Sequence, residues 1–309
     1  MNCPYDVTHE AVRFGTYKEK QLWWCPICRR KFRDPMYLFG QHHPKRYIVE
    51  ALTFYYNGMS YRNVAHTLQD LHGVAIPKMT FWRWVVAYTA EVNRYVDSLR
   101  PRVGTVWVAD ETVIKIAGED WWYWDLIDYE TRYLIATHLS KTRGVFKATK
   151  LMQQARRRTG AVPTVIMTDQ LQDYHKGIAN VFRAEVHHLT SEGFGSHSNI
   201  NLIERFHGTI KQRTKIMRHM KRHEAASIVL DGFVVDYNFL KEHSHLDNTP
   251  PARVAGLGAG IRNWGDLIDR AMAHAQGAPA AYAQPARGYR ALAQENPGAG
   301  AENLQVTEW

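Results

Sequence analysis

Cysteine is scarce: Cys3, Cys25 and Cys28 are the only three in 309 residues. That is too few for a disulfide framework, and a reducing cytosol fits. Long apolar runs are missing as well. No stretch approaches about 18 uninterrupted apolar residues, so no transmembrane helix and no membrane partner are expected. The opening MNCPYDVTHE lacks a positive region followed by an apolar one, so no secretory signal is expected either. Acid is in deficit, with 30 Asp and Glu against 39 Lys and Arg, a formal charge of +9. Between Arg205 and Arg222 there are seven Lys/Arg and no acid. Arg29-Arg30-Lys31 with Arg33, and Arg156-Arg157-Arg158, are further basic clusters. Any one cluster reads equally well as a solvated helix face; three together favour a phosphate backbone as partner. The rest, 45% hydrophobic and 22% charged, suits a soluble globular protein with one sizeable core and one or two small modules.

Residues 1–43 read as a zinc-ribbon-like segment. Cys25 and Cys28 make a C-x-x-C knuckle, and Cys3 supplies a third thiolate. Structural zinc takes four tetrahedral ligands. In the first knuckle, Cys3-Pro4-Tyr5-Asp6, Asp6 stands where a second cysteine would be. The expected Zn²⁺ set is Cys3, Asp6, Cys25 and Cys28, with His9 as the alternative to Asp6. The competing reading is a ribbon that folds without metal.

Residues 44–100 read as a helix-turn-helix. Ile48, Leu52 and Tyr55 recur at helical spacing before Gly58. Ser60 can cap a second helix bearing Val64, Leu68 and Leu71, which stops before Gly73. Pro77 opens a third, basic helix, on which Lys78, Thr80 and Arg83 would face the major groove. A helical bundle linking two domains is the alternative.

From Arg102 the pattern changes. Thr105–Val113, Trp121–Asp128 and Leu134–Ser140 predict a three-stranded meander. A helix over Val145–Arg158, a strand ending at Asp169, a helix over Tyr174–Phe182, a strand over Glu185–Leu189 and a basic helix follow. A Gly/Ser-rich loop, Ser191–Ser198, precedes that last helix, and another helix spans roughly Glu224–Lys241. The order β-β-β-α-β-α-β-α predicts an α/β, ribonuclease-H-like core over 101–257, a mixed five-stranded sheet flanked by helices. Residues 258–309 read as a helical extension with an Ala/Gly/Pro-rich flexible tail.

Three acids then stand out. Asp110 ends the apolar run TVWVA, Asp169 ends VPTVIMT, and Glu204 lies 34 intervening residues later on the basic helix. Two carboxylates at neighbouring strand ends and a third on a packed helix could hold a pair of Mg²⁺ ions roughly 3.5–4 Å apart, with Mn²⁺ able to substitute. Such a pair serves phosphodiester chemistry.

These motifs resemble the DDE transposases of bacterial and archaeal insertion sequences, closest to the insertion-sequence-six group, over roughly Lys45 to Leu257. The resemblance rests on Ser60-Tyr61-Arg62 with Thr80, Arg83 and Trp84, on Trp107-Val108-Ala109-Asp110-Glu111-Thr112, and on Ile127-Asp128. It continues with Arg143 and Ala148, Thr168-Asp169 with Tyr174, and Asn201, Ile203-Glu204-Arg205, His207 and Lys211. Tyr237-Asn238, His243, Leu246 and Thr249-Pro250 close it, a phrase shared with retroviral-type integrases. The 34-residue gap is the spacing associated with that group.

The resemblance implies Mg-dependent cleavage at transposon ends, 3′-OH strand transfer into target DNA, and a catalytic triad of Asp110, Asp169 and Glu204. It puts Lys211 against DNA, and Arg205, Arg213 and Lys215 share its basic helix. Double-stranded DNA, as terminal inverted repeats and target, is the expected partner. A homodimer or larger synaptic assembly is implied, in a cytoplasmic, nucleoid-associated setting. The rivals are a captured transposase acting only as a DNA-binding regulator, and a nuclease of the same fold. On this reading Asp128 is a turn residue or support, and Glu111 points to the opposite face from Asp110. His187, His188, His197 and His207 are phosphate contacts or surface positions. Trp121, Trp122 and Trp124 fill the sheet core and its edges.

Overall fold

The computed structural model describes residues 2–3, 6–17, 20–33, 43–190, 201–216 and 223–277. The Ser191–Ser198 loop with His197, the end of the basic run (217–222) and the Ala-rich tail lie outside them. At the N-terminus β1 (Asn2–Cys3) pairs with β2 (Asp6–Glu10). A separate antiparallel sheet joins β3 (Val12–Tyr17), β4 (Lys20–Cys25) and β5 (Arg30–Arg33). Among the described residues here, Ala11 and Cys25 are buried, with Trp23 and Cys28 against them.

Three helices follow, as expected: α1 (Lys45–Tyr56), α2 (Tyr61–His72) and α3 (Lys78–Ser98). Ser60 Oγ accepts from Asn63 N at 3.2 Å, satisfying one orphan amide of α2. Gly73 closes that helix at φ 64, a left-handed turn that only glycine adopts without strain. At 21 residues, α3 is longer than a recognition helix needs. Beyond its first turn it is largely buried, through Phe81, Trp84, Val85, Tyr88, Val92 and Val96.

The meander is present as β6 (Val106–Ile116), β7 (Glu119–Asp128) and β8 (Leu134–Ser140). Ala117 and Gly118, at φ 53 and 84, form the two-residue β6–β7 turn, the positive-φ pair that matches strand twist. Then come α4 (Val145–Thr159), β9 (Val165–Thr168), α5 (Gln172–Phe182), β10 (His187–Thr190) and α6 (Asn201–Ile216). They are followed by α7 (His223–Phe239), a 3-10 turn (Ser244–Leu246), α8 (Pro251–Val254) and α9 (Trp264–Gly277). The sheet order is β10-β9-β6-β7-β8. Pairing is antiparallel within β6–β7–β8 and parallel from β6 through β9 to β10. This is the mixed five-stranded sheet flanked by helices that the sequence predicts.

The helical part and the sheet share one hydrophobic cluster running from Tyr47 to Ala271. Tyr56 of α1 stacks on Trp264 of α9 at 4.6 Å, and its hydroxyl meets Thr89 Oγ1 of α3 at 2.6 Å. Gly232 lets α7 approach: a Cβ there would fall 2.0 Å from the Tyr56 hydroxyl. Arg158 of α4 reaches Asp97 of α3 and Ile135 O of β8.

Candidate active site

Strand length builds the site. Val108 of β6 lies opposite Met167 of β9, so Asp110 is level with Asp169. There β9 has stopped at Thr168 while β6 runs on to Ile116. Asp110 is therefore mid-strand, not at a strand end as the sequence suggests. The missing neighbour leaves open space beside it. Asp169 turns off the sheet, its Oδ1 accepting from Leu171 N at 3.0 Å at the start of α5.

One carboxylate oxygen from each of Asp110, Glu111 and Asp169 lies within 4.8 Å of the other two. Glu111 takes its partners from the opposite face of the sheet, as strand alternation requires, yet it belongs to the acid cluster. Its side chain is buried and held by Arg143, whose guanidinium sits 3.9 Å over the Trp122 ring. Tyr174 of α5 donates to Glu111 Oε2 at 2.8 Å. On the other face, the Ala117–Gly118 turn sets Asp110 opposite Asp125 of β7. His207 of α6 lies between them, with Nε2 2.7 Å from Asp125 Oδ2 and Nδ1 3.5 Å from Asp110 Oδ2.

Burial pushes Asp110 up to about 7; His207 opposes that, Asp125 adds to it, and the Glu111 backbone N–H works against it. Glu111 is raised by burial and by Asp169, against Tyr174 and Arg143. Burial works to lower His207, but Asp125 and then Asp110 outweigh it and raise it. The cluster thus gathers hard oxygen donors that burial makes costly to ionise. A divalent cation fits that donor set and would relieve the cost.

Glu204 stands exposed in the first turn of α6, three residues before His207, outside the close acid group. On the same helix Arg205 and Lys211 are exposed, whereas Arg213 donates to Asn57 O at 2.5 Å and so ties α6 to the end of α1. The Lys215 side chain lies outside the described residues. At the start of α3, Lys78 and Arg83 are exposed and Thr80 is half-buried. Asp128 does act as a turn residue, accepting from Gly104 N and Thr131 N.

Two residues not expected in the site from the sequence matter most. His207, expected at the surface, is 6% exposed, and Asp125 is fully buried. The signal for Asp125 was present: a two-residue turn at 117–118 fixes the hairpin register and places it opposite Asp110. His188 Nε2 pairs with Thr168 Oγ1 at 2.8 Å, which braces the end of β9. Trp124 is buried, with its indole N–H on Ser140 Oγ at 2.8 Å.

A second cluster lies in the N-terminal segment. His9 Nδ1 is 3.2 Å from Cys28 Sγ and 4.0 Å from Cys25 Sγ. Cys28 N donates to Cys25 Sγ at 3.3 Å, and Arg29 follows at φ 53. The side chains of Cys3 and Asp6 lie outside the described residues. His9, the alternative to Asp6, is the residue that joins the cysteines.

Residues 104–243 match a family model described as a DDE domain, the IS240 type. No curated protein matches. Among solved structures, the HTLV-2 integrase catalytic core domain in complex with magnesium is 16% identical at TM-score 0.38, covering 51% of this chain and 98% of that one. A simian T-cell lymphotropic virus intasome with PP2A regulatory subunit B56 gamma is 12% identical at TM-score 0.38, covering 84% and 80%. The BIV integrase catalytic core is 12% identical at TM-score 0.37, covering 49% and 93%.

Proposed function

We propose that the chain is a DDE transposase, a polynucleotidyl transferase that cuts transposon ends and joins them to target DNA, because residues 104–243 match the DDE-domain family model. The observation that carries this reading is the convergence of Asp110 and Asp169 at the open end of β9, with carboxylate oxygens within 4.8 Å. Glu204, on the helix docked beside them, is the third acid. These residues would hold Mg²⁺, with Mn²⁺ able to replace it. When bound, the metal supplies Lewis-acid stabilisation of the attacking and leaving oxygens of a phosphodiester.

In the first step water attacks phosphorus at the transposon end and a 3′-OH leaves. In the second, that 3′-OH attacks a target phosphodiester, a new P–O bond forms, and the target's own 3′ oxygen departs. No bond to the protein is needed. Asp110 and Asp169 would hold the metal beside the reacting phosphate. Arg143 and Tyr174 hold Glu111 so that it buttresses the cluster. Arg205 and Lys211 face outward on α6, where a phosphate backbone would run. Lys78, Thr80 and Arg83 at the start of α3 supply end recognition, and two ends cut together call for a dimer or larger assembly. Among the described residues no helix is long and apolar enough to cross a membrane.

Zn²⁺ is assigned to the N-terminal segment, through His9, Cys25 and Cys28 with Cys3 as fourth ligand. The observation that supports this is the approach of His9, Cys25 and Cys28, whose ligand atoms lie within 4.8 Å of one another.

The test is cleavage of DNA carrying the element's own ends. Asp110→Asn, Asp169→Asn and Glu204→Gln should each abolish nicking in Mg²⁺ while end binding persists. Substantial nicking by any of the three would remove that residue from the triad.

A further inference from the structure

We propose that Asp125 and His207 form a positioning pair that fixes the Asp110 carboxylate and seats α6, with Glu204, against the acid cluster. This rests on reading Asp110 as a metal ligand.

Asp125 lies mid-strand in β7, fully buried, paired in register with Asp110. A carboxylate in such a place is costly unless partnered. His207 is the partner the structure gives it, at 2.7 Å. With Nε2 held by Asp125, the imidazole is fixed with its Nδ1 3.5 Å from Asp110 Oδ2. The Asp110 carboxylate is thereby restrained from the side opposite Glu111. Glu204 sits three residues earlier on the same helix, close to one turn away, so whatever holds His207 also sets the approach of Glu204.

Packing alone does not call for this pair. Ile203, Phe206 and Ile210 already bury the inner face of α6. A buried charged pair seldom stabilises a fold better than apolar residues of the same volume. Asp125 Oδ1 moreover has no hydrogen-bond partner among the described residues. An arrangement that gains little stability but touches a candidate metal ligand fits a group that orients that ligand, as outer-shell partners do at metal sites.

The experiment measures Mn²⁺ bound to the purified full-length protein, by electron paramagnetic resonance of free Mn²⁺. It also measures the Mg²⁺ concentration giving half-maximal nicking, DNA affinity and the thermal midpoint. Asp125→Leu and His207→Gln should each weaken Mn²⁺ binding by about tenfold or more and raise the Mg²⁺ requirement in parallel. DNA affinity should fall far less than Mn²⁺ affinity, since Arg205 and Lys211 lie on the exposed side of α6. Asp125→Asn, which keeps an acceptor for Nε2, should recover part of the loss. A purely structural pair would lower the thermal midpoint and leave Mn²⁺ affinity at the wild-type value, which overturns the inference. If Asp125→Leu does not fold, His207→Gln and Asp125→Asn carry the same comparison. Asp110→Asn separates the two claims. If it binds Mn²⁺ as wild type does, the metal-site reading itself fails. If it loses Mn²⁺ while the Asp125 and His207 variants keep it, only the positioning role fails.

Discussion

Asp110 is held near neutrality by burial among other acids, and this sets a pH dependence. Folded, it keeps its proton up to about pH 7; unfolded, up to about pH 4. Between those values the folded state binds more protons, so metal-free stability falls as pH rises across that window. Metal must displace the same proton. Apparent Mn²⁺ affinity should therefore weaken as pH drops below 7, approaching tenfold per unit. The thermal shift produced by Mn²⁺ should be larger at pH 8 than at pH 6, and scanning calorimetry at the two values checks it. At Glu111, Arg143→Ala should cost about 1–3 kcal/mol by leaving a buried carboxylate with Tyr174 alone, and urea unfolding reads that directly. Asp110 and Asp169 were legible because each ends an apolar run. Glu111 and Asp125 were not, because alternation argues that Glu111 faces away, and a lone acid among aromatics carries no motif. Only the hairpin register reveals Asp125.

The strands and helices themselves were largely readable, because alternation and helical spacing are local signals. Differences arise where a neighbour decides the length. Strand β6 continues past the acid because β7 pairs with it from Trp107 to Ile116, and α3 runs to Ser98 because α7 and α9 cover it. The exposed start of α3 is where recognition is assigned. Arg83→Ala should cost about 1–3 kcal/mol of specific DNA binding if that side chain reads a base, and the ratio of specific to random affinity measures it. An unchanged ratio moves end choice to another surface. In the N-terminal segment, metal analysis should find one zinc per chain, lost in Cys25→Ser and in His9→Ala. Loss in the cysteine variant alone would return the fourth position to Asp6.

At the scale of the whole molecule, the sequence suggested successive modules with a boundary near residue 100, but one core crosses that boundary. Aromatic contacts between distant elements have no local signature, so nothing near Tyr56 or Thr89 announces Trp264. Trp264 is fully buried against Tyr56, and its indole N–H reaches Asp236 Oδ1 at 3.3 Å. Trp264→Ala should therefore destabilise the fold by about 3–5 kcal/mol. It should also loosen α1 and α3 together, read as lost hydrogen-exchange protection in both helices. Such coupling would carry a disturbance at the helices proposed to read DNA into α7 and the sheet.

The central claim is that the acids at the open end of β9 carry out strand transfer. Its most direct measurement bypasses cleavage by offering a pre-cut transposon end with a free 3′-OH and a supercoiled target plasmid, with Mg²⁺. Wild-type protein should join the end to the plasmid, while Asp169→Asn, at equal occupancy of the end, should give no joined product. Joining by Asp169→Asn at the wild-type rate would contradict the account.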